Sequence, residues 1–259
     1  MVTIHQFRKT QGGRNLTVIQ IYPDIESLSR SAAEIFVVQS QQAIKDNGRF
    51  SVALSGGHTP TRTYELLAQQ PFRDQVQWLQ VHVFWGDERC VLSNDSRRNE
   101  PTARQALLDH VPIPKEQIYP IHCSQEPHQT AENYEKLLRD FFTGQSPMFD
   151  LVFLGLGENG HTASLFPHSP ILDERKRWSA EVYVAEENLY RVTLTAPFIN
   201  QAALVVFLVA GATKARVLKE VLEGPWNPNH LPAQLIRPPN SSLYWLMDKE
   251  ASSLINHKV

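Results

Sequence analysis

The stretch Asp150-Leu-Val-Phe-Leu-Gly155-Leu-Gly157-Glu158-Asn159-Gly160-His161-Thr-Ala-Ser-Leu-Phe166-Pro167 reads as a short apolar strand running into a glycine-rich turn. It contains a literal Gly-x-Gly-x-x-Gly, so a dinucleotide site has to be weighed first. Such a site requires a helix to open at the third glycine and an acidic residue about 20 positions further on. Here the third glycine is followed by His161, and Pro167 limits any helix to about two turns. Glu181 stands near the right distance, but a lone acid is weak support, and a nicotinamide site is disfavoured. His161 is better read as a general base. Its backbone neighbours have no side chains to bury it, and its unperturbed pKa lies near neutrality.

Outward from this stretch, helical and strand-like patterns alternate almost to both ends. Asp24 caps a helix that runs to about Asn47 and stops at Gly48. Strands are expected at Phe50 to Ser55, Val81 to Trp85, Asp150 to Leu154, Glu181 to Val184, Arg191 to Thr195 and Leu204 to Val209. Helices are expected at Pro60 to Gln69, Glu100 to Leu108, Thr130 to Phe142 and Lys214 to Glu223. The pattern predicts an α/β fold, a mostly parallel sheet with helices on both faces, in one domain spanning 1–259. In such sheets ligands bind outside the carboxyl ends of the strands.

Three further motifs follow strands. Ser55-Gly56-Gly57-His58-Thr59-Pro60 suits a phosphate cradle, with Thr59 as the helix cap and Pro60 at the first helical position. It suits an ordinary strand-to-helix turn equally well. Gly86-Asp87-Glu88-Arg89 is either catalytic or a solvated loop, and taken alone the loop is favoured. Arg191 and Lys214, taken alone, read as solvated charge. If their strands are adjacent, both cations could meet a phosphate held at Ser55 to Thr59.

Bulk properties set limits. The chain has 259 residues, 42% of them apolar, and a formal net charge of −2. That balance offers no basic field for nucleic acid or anionic lipid, so cations for an anionic ligand must be local. The two cysteines, Cys90 and Cys123, are too few for a disulfide framework, and their spacing matches no zinc site. Met1 to Asn15 lacks the apolar core of a signal peptide, and no run approaches the roughly 18 apolar residues of a membrane span. A cytoplasmic, soluble protein is expected, and no motif encodes an oligomeric state beyond a default monomer.

Taken in order, Ser-Gly-Gly-x-Thr-Pro from Ser55, Asp87-Glu88-Arg89, the His161 block, Arg191-x-Thr and Gly211-x-x-Lys214 resemble the 6-phosphogluconolactonase family. Further echoes are Asn99, Leu107 to Pro112, and Pro232 to Pro238. The resemblance implies a modified Rossmann-like fold and a cofactor-free, metal-free hydrolase of 6-phosphogluconolactone. It implies His161 as general base and Ser55, Gly56, Gly57, Thr59, Arg191 and Lys214 as phosphate ligands. Arg89 would lie near the phosphate or the developing oxyanion, and Asp87 would orient His161 or bind sugar hydroxyls. The related glucosamine-6-phosphate deaminases carry a carboxylate just before the proline, where this chain has Phe166, which favours hydrolysis. Two departures stand out. Asn159 replaces the family's usual aspartate, and Arg98 replaces a serine before Asn99. They leave a sugar-phosphate-binding protein with weakened catalysis as an alternative.

Overall fold

The computed structural model describes residues 3–7, 17–93, 95–123, 126–144, 148–239 and 241–256. Apart from one short strand, Met1 to Asn15 lies outside the described residues. In chain order the strands are β1 Thr3–Phe7, β2 Thr17–Tyr22, β3 Phe50–Leu54, β4 Val81–Trp85, β5 Asp87–Arg89, β6 Ile118–Tyr119, β7 Leu151–Leu154, β8 Ser179–Val184, β9 Leu189–Leu194, β10 Leu204–Val209 and β11 Ser242–Asp248. The α-helices are α1 Ile25–Asn47, α2 His58–Leu67, α3 Asn99–Ala106, α4 Pro127–Phe141, α5 Ala196–Ile199 and α6 Ala215–Glu223.

Local chemistry sets the ends of α1 at the residues expected from the sequence. The Asp24 side chain accepts from the Ser27 N–H at 2.8 Å. Gly48 takes a left-handed φ of 74° and donates its N–H to the Ile44 carbonyl, a conformation that glycine adopts without a Cβ penalty. Strands β3, β7 and β10 are buried along their whole length, as expected for central parallel strands covered on both faces.

The main sheet has eight strands in the order β1-β2-β11-β10-β7-β3-β4-β6. Only β1 is antiparallel to its neighbour. The chain builds outward from β3 to β4 and β6, returns to place β7 beside β3, then builds the other way through β10 and β11. The reversal between β3 and β7 splays the loops at the carboxyl ends of these strands and opens a crevice there. Helices cover both faces. Phe36 of α1 meets Phe50 and Phe153. Phe84 pairs in register with Ala53, which puts it on the face opposite Phe50, and there it meets Phe141 of α4.

Several expectations change. The strands expected around Glu181 and Arg191 exist, but they form an antiparallel hairpin in a separate three-stranded sheet, β5-β9-β8. Asp87-Glu88-Arg89 is that sheet's third strand and not a loop. Strands β2 and β11 add to the expected set. Helix α2 begins two residues earlier than expected, capped by Gly57 at φ 100°, with no side-chain cap from Thr59. Cys90 and Cys123 are joined in one disulfide. Their distance in sequence hides this, because the end of β5 and the segment after β6 meet only in the folded chain. Among the described residues no helix is long and apolar enough to cross a membrane.

Candidate active site

The turn after β7 is built around the imidazole of His161. Gly157 donates its N–H to the His161 carbonyl at 2.8 Å, and Gly160 donates to the Gly157 carbonyl at 3.0 Å. Gly160 has φ +82°. A Cβ on Gly157 would fall inside the His161 ring, so this glycine makes the seat for the imidazole. No helix follows the third glycine, only turns and an isolated bridge between Thr162 and Leu165. The nucleotide fingerprint therefore lacks the helix N-terminus it depends on.

Asn159 holds the ring. Its Oδ1 accepts the His161 backbone N–H at 3.2 Å and faces the ring Nδ1 at 2.6 Å. An oxygen that accepts the backbone N–H can only accept from Nδ1 as well, so the proton sits on Nδ1 and Nε2 keeps its lone pair. Phe166 stacks on the imidazole with ring centroids 4.3 Å apart. Burial, with the Arg191 charge nearby, pushes the His161 pKa down to about 4. The ring is neutral across the physiological range.

The second sheet supplies the charges around it. Side chains alternate along β5, so Asp87 and Arg89 face the crevice and the fully buried Glu88 faces away. Glu88 accepts backbone N–H groups from Arg89, Asn99 and Glu100 at 2.7–2.9 Å. It thus caps α3, whose first turn has no side-chain cap of its own. The buried Arg98 stands 3.9 Å from Glu88 and 3.5 Å from Glu100. These two acids hold Arg98 at the start of α3. Asp87 does not touch the imidazole. Its carboxylate accepts from Ser164 Oγ at 2.6 Å and lies 3.5 Å from Arg191, tying the histidine loop to the second sheet. Arg191 also pairs with Glu187 and lies 5.2 Å over the Phe166 ring.

The turn after β3 is held by a buried tyrosine. The Tyr64 hydroxyl accepts the Ser55 N–H at 2.9 Å and donates to the Ser55 carbonyl at 2.8 Å, where the strand ladder has opened. Tyr134 makes the same pair of bonds to Trp85, both at 3.0 Å. The first turn of α2 then presents N–H groups that the helix cannot satisfy internally. Across the crevice, Asp248 at the end of β11 accepts the Gly211 N–H at 3.0 Å and fixes the loop that carries Lys214. The Lys214 ammonium lies 3.7 Å from Glu158.

These loops surround one cavity of about 670 Å³, a volume suited to a small ligand. Ser55, Gly56, Gly57, Thr59, Asp87, Arg89, His161, Arg191 and Lys214 all line it, so the fold brings every candidate residue to one place. Sequence reasoning assigns no role to Asn99, Glu158 or Glu187, nor any packing role to Phe166. Glu187 lies in the turn between β8 and β9, four residues before Arg191. Among the described residues no group of three or more His, Cys, Asp or Glu side chains could hold a metal ion.

Residues 23–245 match the family described as glucosamine-6-phosphate isomerases/6-phosphogluconolactonase. A 6-phosphogluconolactonase from Synechocystis sp. is 44% identical over 215 residues, covering 81% of this chain and 86% of that protein. One from Nostoc sp. is 39% identical over 240 residues, covering 91% and 97%. The solved structure of 6-phosphogluconolactonase from Trypanosoma brucei superposes with a TM-score of 0.83 at 28% identity, covering 92% of this chain and 98% of that one.

Proposed function

The chain belongs to the glucosamine-6-phosphate isomerase/6-phosphogluconolactonase family, and from that premise we propose that it hydrolyses 6-phospho-D-glucono-1,5-lactone to 6-phosphogluconate, with His161 as general base. The observation that carries the assignment is the His161 ring, fixed through Nδ1 by Asn159, on the wall of a cavity that also holds Arg89, Arg191 and Lys214.

His161 Nε2 takes a proton from water as the oxygen attacks the lactone carbonyl carbon. The carbonyl oxygen becomes an oxyanion, while Arg89, opposite Arg191 across β5–β9, is the cation assigned with it to the 6-phosphate. Collapse breaks the bond to the ring oxygen, which leaves as the C5 hydroxyl after receiving the proton from His161. The 6-phosphate is held by Ser55, Gly56, Gly57, Thr59, Arg191 and Lys214. Asp87 acts on the arrangement through Ser164 and Arg191. The scheme uses no metal or nucleotide.

Phe166 supports hydrolysis over deamination, because it gives the ring an aromatic neighbour where ring-opening chemistry needs a carboxylate. We also read the chain as cytoplasmic, with its oligomeric state open and a monomer the default. The Cys90–Cys123 bond pulls against that compartment, where thiols are kept reduced.

The test is hydrolysis of freshly made lactone measured above its spontaneous rate, with His161→Ala beside the wild-type chain. No increment over buffer would sink the proposal. Ammonia released from glucosamine-6-phosphate would instead indicate a deaminase.

A further inference from the structure

We infer that Asn99 is a positioning residue which keeps Arg89 available to the substrate by standing between it and Asp87. This role rests on the hydrolase proposed above, but its geometry is independent of the reaction. Asn99 is the first residue of α3 and is 4% exposed. Its Oδ1 accepts from Arg89 Nη1 at 2.8 Å. Its Nδ2 donates to the Asp87 carbonyl at 2.8 Å and to the Asp87 carboxylate at 3.2 Å. The two ends of the amide are therefore not interchangeable. A carbonyl oxygen must face the guanidinium, and an N–H must face the acid.

Asp87 and Arg89 lie two residues apart on one face of β5, where nothing in the backbone prevents them from pairing. Among the described residues Asp87 pairs with Arg191 at 3.5 Å, and Arg89 makes no ion pair within 4.0 Å. The neutral amide occupies the space in which an Asp87–Arg89 pair would form. Without it, attraction across a partly desolvated gap would draw the guanidinium onto Asp87 and away from the cavity. Among the described residues Arg89 Nε is buried and has no hydrogen-bond partner. Its Nη1 is held by Asn99 and by the Arg97 carbonyl at 2.5 Å. The cation is thus gripped at one end, with no carboxylate within 4.0 Å of its guanidinium among the described residues.

Asn99 also reaches the third wall of the site. A Cβ on Gly56 would fall inside the Asn99 amide, so the phosphate turn closes against the same group that holds Arg89. One buried side chain touches the turn after β3 and both crevice-facing residues of β5.

The test compares wild type, Asn99→Ala, the isosteric Asn99→Asp, Gly56→Ala and the Gly56→Ala/Asn99→Ala pair. We measure KM and kcat for lactone hydrolysis, binding of inorganic phosphate by calorimetry, and melting temperature. Asn99→Ala and Asn99→Asp are expected to raise KM about tenfold, the scale of one lost hydrogen bond to a charged group. They are expected to weaken phosphate binding and to lower kcat less than KM rises. Asn99→Asp should neutralise Arg89 directly and keeps the shape of the side chain should the alanine variant not fold. Gly56→Ala should weaken binding alone, and the pair should be no worse than Asn99→Ala, because the clash has been removed. A merely structural asparagine would lower the melting temperature and leave KM and phosphate binding at wild-type values, and that result overturns the inference. A wild-type chain that does not accelerate lactone hydrolysis defeats the proposed function alone, since the phosphate-binding arm still decides the role of Asn99.

Discussion

Arg89 and Arg191 are register partners, directly opposite each other across the antiparallel β5–β9 pair. Opposed residues on such a pair share a face, and like charges there are destabilising. Both line the cavity, and among the described residues the Nε of each is buried without a hydrogen-bond partner. Arg191 is offset by Asp87 and Glu187, whereas among the described residues the Arg89 guanidinium has no carboxylate within 4.0 Å and is held by the Asn99 amide and the Arg97 carbonyl. The folded chain therefore brings two guanidinium groups together on one cavity wall although its net charge is −2. A bound anion relieves that repulsion.

Inorganic phosphate should raise the melting temperature. At about 100 times its Kd, linkage gives about 2.7 kcal/mol, a shift of roughly 5–10 °C for a chain near this size. Arg191→Gln should reduce the shift strongly, and added salt should weaken it. A melting curve insensitive to phosphate would contradict the assignment.

The pH profile follows from the lowered pKa of His161. The active form is the neutral ring, so kcat/KM is maintained above the free-enzyme pKa and falls as pH drops through about 4. Arg191 and Lys214 both contribute to the lowering. A bound phosphate offsets their charge, so the acid limb of kcat should lie at higher pH than that of kcat/KM. Asn159→Asp puts a carboxylate against Nδ1, favours the imidazolium and should move both limbs upward while keeping activity at pH values well above them. An acid limb unmoved by Asn159→Asp would mean that another group is titrating.

Gly157→Ala forces a methyl group into the space of the imidazole. A displacement near 1 Å costs about 10²-fold in rate, so kcat should fall by about that factor while phosphate binding is retained. His161→Ala should lose about 10²–10⁴-fold. Normal kcat in a folded Gly157→Ala variant would show that the ring tolerates another seat.

Tyr64→Phe removes both bonds to the Ser55 backbone and leaves a buried N–H and C=O unsatisfied. That costs about 1–3 kcal/mol and should lower the melting temperature by several degrees. Tyr134→Phe should do the same at Trp85. Calorimetry on the two variants checks whether strand-end closure is worth this much.

Much of the site is legible in the amino-acid order. Ser55-Gly56-Gly57, His161 and Lys214 each follow an apolar strand, and in a parallel sheet all such ends point one way. The end of α1 at Gly48 and the character of β7 and β10 are legible for a similar reason. They rest on local conformational preference and on unbroken apolar runs. Strand β11, Ser242–Asp248, carries a local strand signal in the unbroken run Leu243 to Met247 that the sequence reading leaves unassigned, and only pairing with β10 and β2 fixes its place in the sheet. Asp87-Glu88-Arg89 reads like a solvated loop. Three charged residues become a strand only when β9 is there to pair with them.

Short windows of the chain specify the residue types that the chemistry requires: a histidine after a glycine turn, a glycine cradle at a helix start, and a few cations in a chain of slightly negative net charge. These are local properties, written in neighbours a few positions apart. What those residues touch is set only in the folded chain. Folding places Arg89 against Arg191 from positions far apart in the chain, gives Asn159 and not Asp87 the task of holding His161, and turns Asn99 into the neutral partition between an acid and a base. Cys90 and Cys123 are joined in the same way. Contacts between distant segments arise from burial and strand register across the whole chain, and no short window of sequence contains them.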